Sequence, residues 1–289
     1  MSVAPEPRAV SVLGPLDPDA LGTVMPREMV IFDNLRLQVP PSTLALSNLR
    51  DAQPTLDNLA DLRANPLAVT ANLRSPAPHV LEAELERLAV AASPCTVVEV
   101  TAYGRDPAGL VALARRTGVH IIFSAGRSCE AAAAAEASVA AAIASGQEDV
   151  PAAADTLAQQ LLNELTAGVA VAGEGGVCAG VIGELPGAAP PRGVPGHEAH
   201  ATLLRAAAIA QIRTGAPIWC ALAPPAARTP AADAAAADAT WAAEAAEAAL
   251  AAARCVCAHG GDARRLVLNH AQHLLGSAKQ LVQSALYPI

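Results

Sequence analysis

The stretch Val177-Cys-Ala-Gly-Val-Ile-Gly-Glu184-Leu185 is a β-branched run broken only by small residues, and it closes on a carboxylate. Its pattern predicts a strand over Val177–Ile182. On either side lie alanine-rich stretches that predict helices at Ala152–Thr166 and His197–Thr214. Working outward, the same alternation repeats. Strands are expected at Met29–Phe32, Thr96–Val100, His120–Ser124, Ile218–Leu222 and Arg265–Asn269. Helices are expected at Pro78–Ala92, Pro107–Thr117, Glu130–Ser145, Ala231–Ala253 and His273–Ala285. Gly118, Gly146, Gly168 and Gly215 stand just past helices, where a left-handed cap favours glycine. Strands alternating with helices are βα units, which build a parallel sheet.

The chain has 289 residues, which suits one large α/β domain. Hydrophobic residues make up 53% but aromatics only 2%, so the core is built from Ala, Val, Leu and Ile. A formal net charge of −8 excludes broad nucleic-acid or anionic-membrane affinity. No apolar run is long enough to span a bilayer, and the first residues lack a secretory pattern. Six cysteines scattered through so large a chain are expected to be reduced and mostly buried. An intracellular, reducing compartment is therefore expected, the cytoplasm by default.

Several motifs resemble one family. Ser11-Val-Leu-Gly-Pro-Leu16 with Leu21-Gly22, and Gly180-Val-Ile-Gly-Glu184-Leu185, are similar to the phosphotriesterase-related family of amidohydrolase-like barrels. Asn58-Leu-Ala-Asp-Leu-Arg-Ala-Asn-Pro66 resembles that family's insertion after the first strand. Val98-Glu99-Val-Thr101 with Gly104-Arg105-Asp106 resembles its second strand and loop, and Thr117–Ile122 with Ser124-Ala-Gly126 its third. Asn163-Glu164 and Leu203–Ala207 resemble the helices flanking its fourth strand. The resemblance implies a TIM-type (β/α) barrel as a single domain over 1–289, with a lead-in over 1–22 and an insertion over 33–77. It also implies an incomplete or open barrel, lacking the last one or two βα units. A protein partner or a second copy of the chain is expected to cover such an edge.

In this family a binuclear metal centre sits at the C-terminal ends of the strands, activating water and polarising an ester. The resemblance puts the first-strand ligand pair on Arg27 and Met29, within Val24-Met-Pro-Arg-Glu-Met29. A cation and a thioether cannot replace two imidazoles on a divalent metal. The bridging carboxylate is kept as Glu184. The fifth-strand histidine position falls on Ala221, and the sixth-strand histidine is kept as His270. Glu184 and His270 are the surviving ligands, too few for a two-metal site. Arg27 would repel a metal and is placed to pair with Glu184 instead. The expectation is a catalytically inactive member acting as a structural or binding subunit, with no cofactor. The rival is a divergent metal-dependent hydrolase of ester or amide bonds, holding zinc through Glu184 and His270.

Other clusters read as structural. His270 with His273, and Cys255-Val-Cys257-Ala-His259, lack the further ligands a zinc site needs. His197-Glu-Ala-His200 departs from the His-Glu-x-x-His pattern and reads as a solvated helix face. Gly173-Glu-Gly-Gly176 reads as a loop, and Arg105-Asp106 as a local ion pair. Strand alternation points Cys220 away from any site that Ala221 faces.

Overall fold

A computed structural model describes residues 8–41, 43–147, 151–173, 175–189, 196–222 and 247–269. The chain divides into two compact units. The first runs to Phe123 and takes in Ala170–Val177; the second holds Ser124–Val169 and the residues from Cys178 onward.

In the first unit, the hairpin β1 (Ala9–Ser11) and β2 (Gly14–Leu16) precedes β3 (Thr23–Glu28). Then come α1 (Leu59–Ala64), α2 (Pro78–Ala92), β4 (Cys95–Glu99), α3 (Pro107–Thr117) and β5 (His120–Ala125). β5 contributes its last two residues to the second unit. β3, β4 and β5 are parallel neighbours in that order. β4 is buried at every position, as a strand of a parallel sheet covered on both faces should be. The ends of α3 are defined by its sequence. Asp106 Oδ1 accepts the Gly109 N–H at 2.9 Å, Pro107 opens the first turn, and Gly118 closes it at φ 72°. So Arg105-Asp106 is, at Asp106, a helix cap, while the Arg105 guanidinium lies over the Phe123 ring at 5.3 Å.

The first strand departs from expectation. It occupies Thr23–Glu28, and Met29–Phe32 is the loop that follows. Pro26 inside a strand argues against it in sequence. Here the ladder shifts register between Met25 and Glu28, which removes the need for an N–H at that point. The apolar loop is held instead by Val30 N–H donating to Glu99 and by Ser75 N–H donating to the Phe32 carbonyl. Within the insertion, short 3-10 turns and α1 surround a small core of Leu49, Leu62 and Val69.

The second unit carries α4 (Cys129–Ala144), α5 (Ala153–Thr166), β8 (Val181–Pro186), α6 (His200–Thr214), β9 (Ile218–Ala221), α7 (247–258) and β10 (Leu266–Asn269). In chain order between α5 and β8, β6 (Val169–Val171) and β7 (Gly175–Val177) form a separate two-stranded sheet, which from Ala170 onward belongs to the first unit. The end of β5, then β8, β9 and β10, form a parallel ladder in that order. α5 packs on α6, whose buried face is Leu203, Leu204, Ala206, Ala207, Ala208 and Ala210. Those alanines let the backbones approach closely.

Three more readings are corrected. The run Val177–Ile182 is not one strand: Val177 ends β7, and β8 begins at Val181. Ala179 N–H is bonded to the Glu164 carbonyl at 2.9 Å, which turns the chain between them. Gly175 and Gly176, read as loop, are strand. The helix expected from His197 starts at His200. Its His200 is half-buried, with Nε2 at 3.0 Å from the Pro186 carbonyl oxygen, so it is not a solvated face. Of the helix read at Ala231–Ala253, residues before 247 lie outside the described residues, as does all of His273–Ala285; α7 itself runs on to 258.

Candidate functional site

Of the positions singled out in the sequence, Arg27, Met29, Glu184 and Ala221 fall at or just past the C-terminal ends of parallel strands. In the first unit, Arg27 is the penultimate residue of β3, and Met29 follows the strand and is 45% exposed. Beside them Glu99 ends β4, register-paired with Glu28. Its side chain is 1% exposed, and its two oxygens accept the N–H groups of Val30 at 2.5 Å and Thr101 at 3.0 Å. Burial pushes the Glu99 carboxyl above its ordinary range. Hydrogen bonds from Thr101 and Val30 pull the other way, and the charge of Glu28 adds to the rise.

In the second unit, Glu184 lies near the end of β8, Ala221 ends β9 and Asn269 ends β10. Ala221 is register-paired with Pro186 on one side and Asn269 on the other. The Asn269 amide reaches across β9 and donates to Glu184 Oε1 at 2.6 Å. Asn269 is buried, and its main-chain carbonyl accepts the Leu222 N–H at 3.1 Å. His270 lies outside the described residues. Cys220 points to the opposite, buried face, as strand alternation requires. Burial, and then the charge of Glu184, push its thiol up to about 12. It is a neutral thiol at any physiological pH.

Glycines set the backbone that carries Glu184. Gly183 has φ 132°, and a Cβ there would lie 2.5 Å from the Trp219 carbonyl oxygen. Gly126 is equally tight, with its notional Cβ 2.7 Å from the Gly183 carbonyl oxygen. The close approach of β8 to β9 therefore depends on Gly183, and that of the end of β5 to β8 on Gly126.

The model of the phosphotriesterase family matches residues 8–284. The chain belongs to the phosphotriesterase family. That family's fold is the TIM-type (β/α) barrel, and the six parallel strands found among the described residues, with their helices, are its βα units.

Solved structures agree in fold. A resiniferatoxin-binding protein from Rhodobacter sphaeroides is 23% identical with a TM-score of 0.66, over 96% of this chain and 66% of that one. A phosphotriesterase homology protein from Escherichia coli, with phosphate in its active site, is 17% identical with a TM-score of 0.54, over 93% and 70%. A lactonase from Listeria monocytogenes is 16% identical with a TM-score of 0.57, over 96% and 70%. This phosphotriesterase-family chain thus spans about two thirds of the length of the structures it matches. No curated protein matches it.

Members of the phosphotriesterase family are typically metal-dependent, so the donor set here can be tested against a metal. Arg27 is a permanent cation, Met29 offers a thioether, and Ala221 offers nothing. Glu184 already accepts the Asn269 amide, and Cys220 is protonated and faces away. Among the described residues no group of three or more His, Cys, Asp or Glu gathers as a ligand set. The described residues do not fit a catalytic zinc, which takes about three protein ligands. No helix among them is long and apolar enough to cross a membrane.

The reading from sequence passed over two residues. Glu99 was visible as a lone charge inside the apolar run Thr96–Val100. Asn269 was hidden by its neighbour His270, because the family resemblance draws the eye to the histidine at that strand end.

Proposed function

We propose that this chain is a phosphotriesterase-family member that has given up metal-dependent hydrolysis and serves as a binding or structural subunit of a larger assembly. The observation that carries the reading is the Asn269 amide seated on Glu184 across Ala221. The carboxylate that the family resemblance assigns to the metal bridge is used in a hydrogen bond within the chain. A family position that elsewhere supplies an imidazole supplies only a methyl group. The similarity in fold to a structure described as a resiniferatoxin-binding protein supports a binding role for such a scaffold. Six free thiols suit a reducing compartment.

A second reading, a divergent hydrolase, draws on the retained Glu184 and on neighbours described as lactonases. The two separate in one preparation. Metal content of the purified native protein is measured, co-purifying chains are identified, and lactone and ester turnover is followed with and without chelator. Absence of bound metal with a stoichiometric partner supports the subunit. One or two zinc ions per chain, with turnover abolished by chelator, overturns it in favour of the hydrolase.

A further inference from the structure

We infer that Asn269 and Ala221 act as a coupled pair that replaces a metal as the tie across the strand ends of the second unit. The inference rests on the metal-free reading above and adds to it what holds Glu184 in place. β8, β9 and β10 are successive neighbours, and parallel strands lie about 4.8 Å apart, so β8 and β10 are separated by roughly 10 Å. A Glu side chain and an Asn side chain span that gap when the hydrogen bond between them is short, and it is 2.6 Å. Register places Pro186, Ala221 and Asn269 in one row, and Glu184 precedes Pro186 by two residues on the same face. Ala221 is the β9 residue directly beside Asn269 in that row. A side chain of imidazole size there would crowd the Asn269 amide on its way to Glu184.

Three consequences follow from this geometry. The small residue at 221 is a requirement of the bridge rather than a mere loss of a ligand. Asn269, buried and held through its main-chain carbonyl to the Leu222 N–H, presents its side-chain amide to the Glu184 carboxylate from a fixed backbone. The end of the ladder is thereby closed by a part-buried hydrogen bond from an amide to a carboxylate, a stronger kind than one between neutral groups.

The test uses the full chain. In the wild type the two Asn269 side-chain amide protons, assigned by comparison with N269A, are expected to exchange with solvent far more slowly than a free carboxamide. N269A is expected to lower Tm by about 3–6 °C. A221H is expected to abolish the exchange protection, and the double variant A221H/N269A to lose little more than A221H alone, because both break one bridge. Free-rate exchange of the Asn269 amide in the wild type overturns the inference. So does an N269A Tm within about 1 °C of wild type, or strict additivity in the double variant. Should N269A fail to fold, the exchange rates of wild type and A221S decide alone: protection in the first and its weakening in the second support the bridge, and equal free-rate exchange overturns it. A titration of wild type with zinc alone keeps the two claims apart. Stoichiometric uptake with loss of Asn269 protection refutes the metal-free reading together with the tie. No uptake with a neutral N269A refutes the tie alone.

Discussion

Glu99 shows how much a single buried charge can organise. A carboxylate that is 1% exposed must be compensated, and two backbone N–H groups do so, one from each of two chain segments. Through Val30 it holds the loop that carries Met29. Glu99→Gln replaces one acceptor oxygen with an amide that faces a donor, and is expected to cost about 1–3 kcal/mol in urea unfolding. The pH dependence has a defined sign. Because the folded-state pKa is raised, Glu99 contributes stability that is present below its unfolded pKa and lost as pH rises through the folded value. Tm of wild type minus Tm of E99Q should therefore shrink as pH rises from the ordinary carboxylate range upward; a difference that grows would contradict the assignment. Thiols give a second residue-scale check. Cys95, Cys129 and Cys220 are buried, whereas Cys178, Cys255 and Cys257 are partly exposed. Disulfide-reagent labelling at pH 8 should modify Cys220 only after denaturant is added, since a thiol with a pKa of about 12 offers almost no thiolate. Its labelling in the native protein would be inconsistent with the strand register. The orientation of Cys220 was legible from alternation alone. Neither the Val30 donor to Glu99 nor the Asn269 donor to Glu184 was, because both contacts join residues far apart in sequence, 69 and 85 positions.

At the scale of elements, the sequence was most readable where local chemistry acts alone. α2 begins at Pro78, and α3 begins and ends where Asp106, Pro107 and Gly118 say it should. β4, β5, β9 and β10 fall within a residue of their apolar runs. The failures were places where tertiary contacts override local pattern. β3 contains a proline and an exposed Val24, yet forms because β4 offers a ladder; the more apolar Met29–Phe32 does not, because its N–H and C=O groups bond to a carboxylate and to the insertion. β8 starts late because Ala179 is drawn to α5. Packing of β8 against β9 turns on Gly183, at positive φ and against the Trp219 backbone. Gly183→Ala combines left-region strain with an overlap against backbone, and is expected to destabilise by about 3 kcal/mol or more. The check is chemical unfolding beside Gly118→Ala, a cap with open space around it, where only the strain of positive φ applies and the cost should be about 1 kcal/mol. Equal costs at the two sites would mean that β8 is not seated on β9 as described.

For the whole molecule the question is whether a phosphotriesterase-family chain with these residues draws any of its stability from a metal. Bound metal adds to stability by mass action, by about 2.7 kcal/mol when free ligand is a hundredfold above Kd. A protein of this size would register that as several degrees in Tm. Here the strand ends carry hydrogen bonds within the chain: Glu99 on two backbone N–H groups in the first unit, and the Asn269–Glu184 hydrogen bond in the second. Neither bond needs a metal to form. Beneath them the cores are made of small and aliphatic side chains, such as Val97, Val98 and Ile121 in one unit and Ile182, Leu203 and Ala207 in the other. Such packing contributes through area rather than through any one anchor. Dialysis of the native protein against EDTA is therefore expected to leave Tm within about 1 °C of the untreated sample, and back-titration with zinc to leave it there. A drop of several degrees on chelation, restored by zinc, would show that a metal contributes to the folded state, and would return Glu184 to the role that the family resemblance gives it.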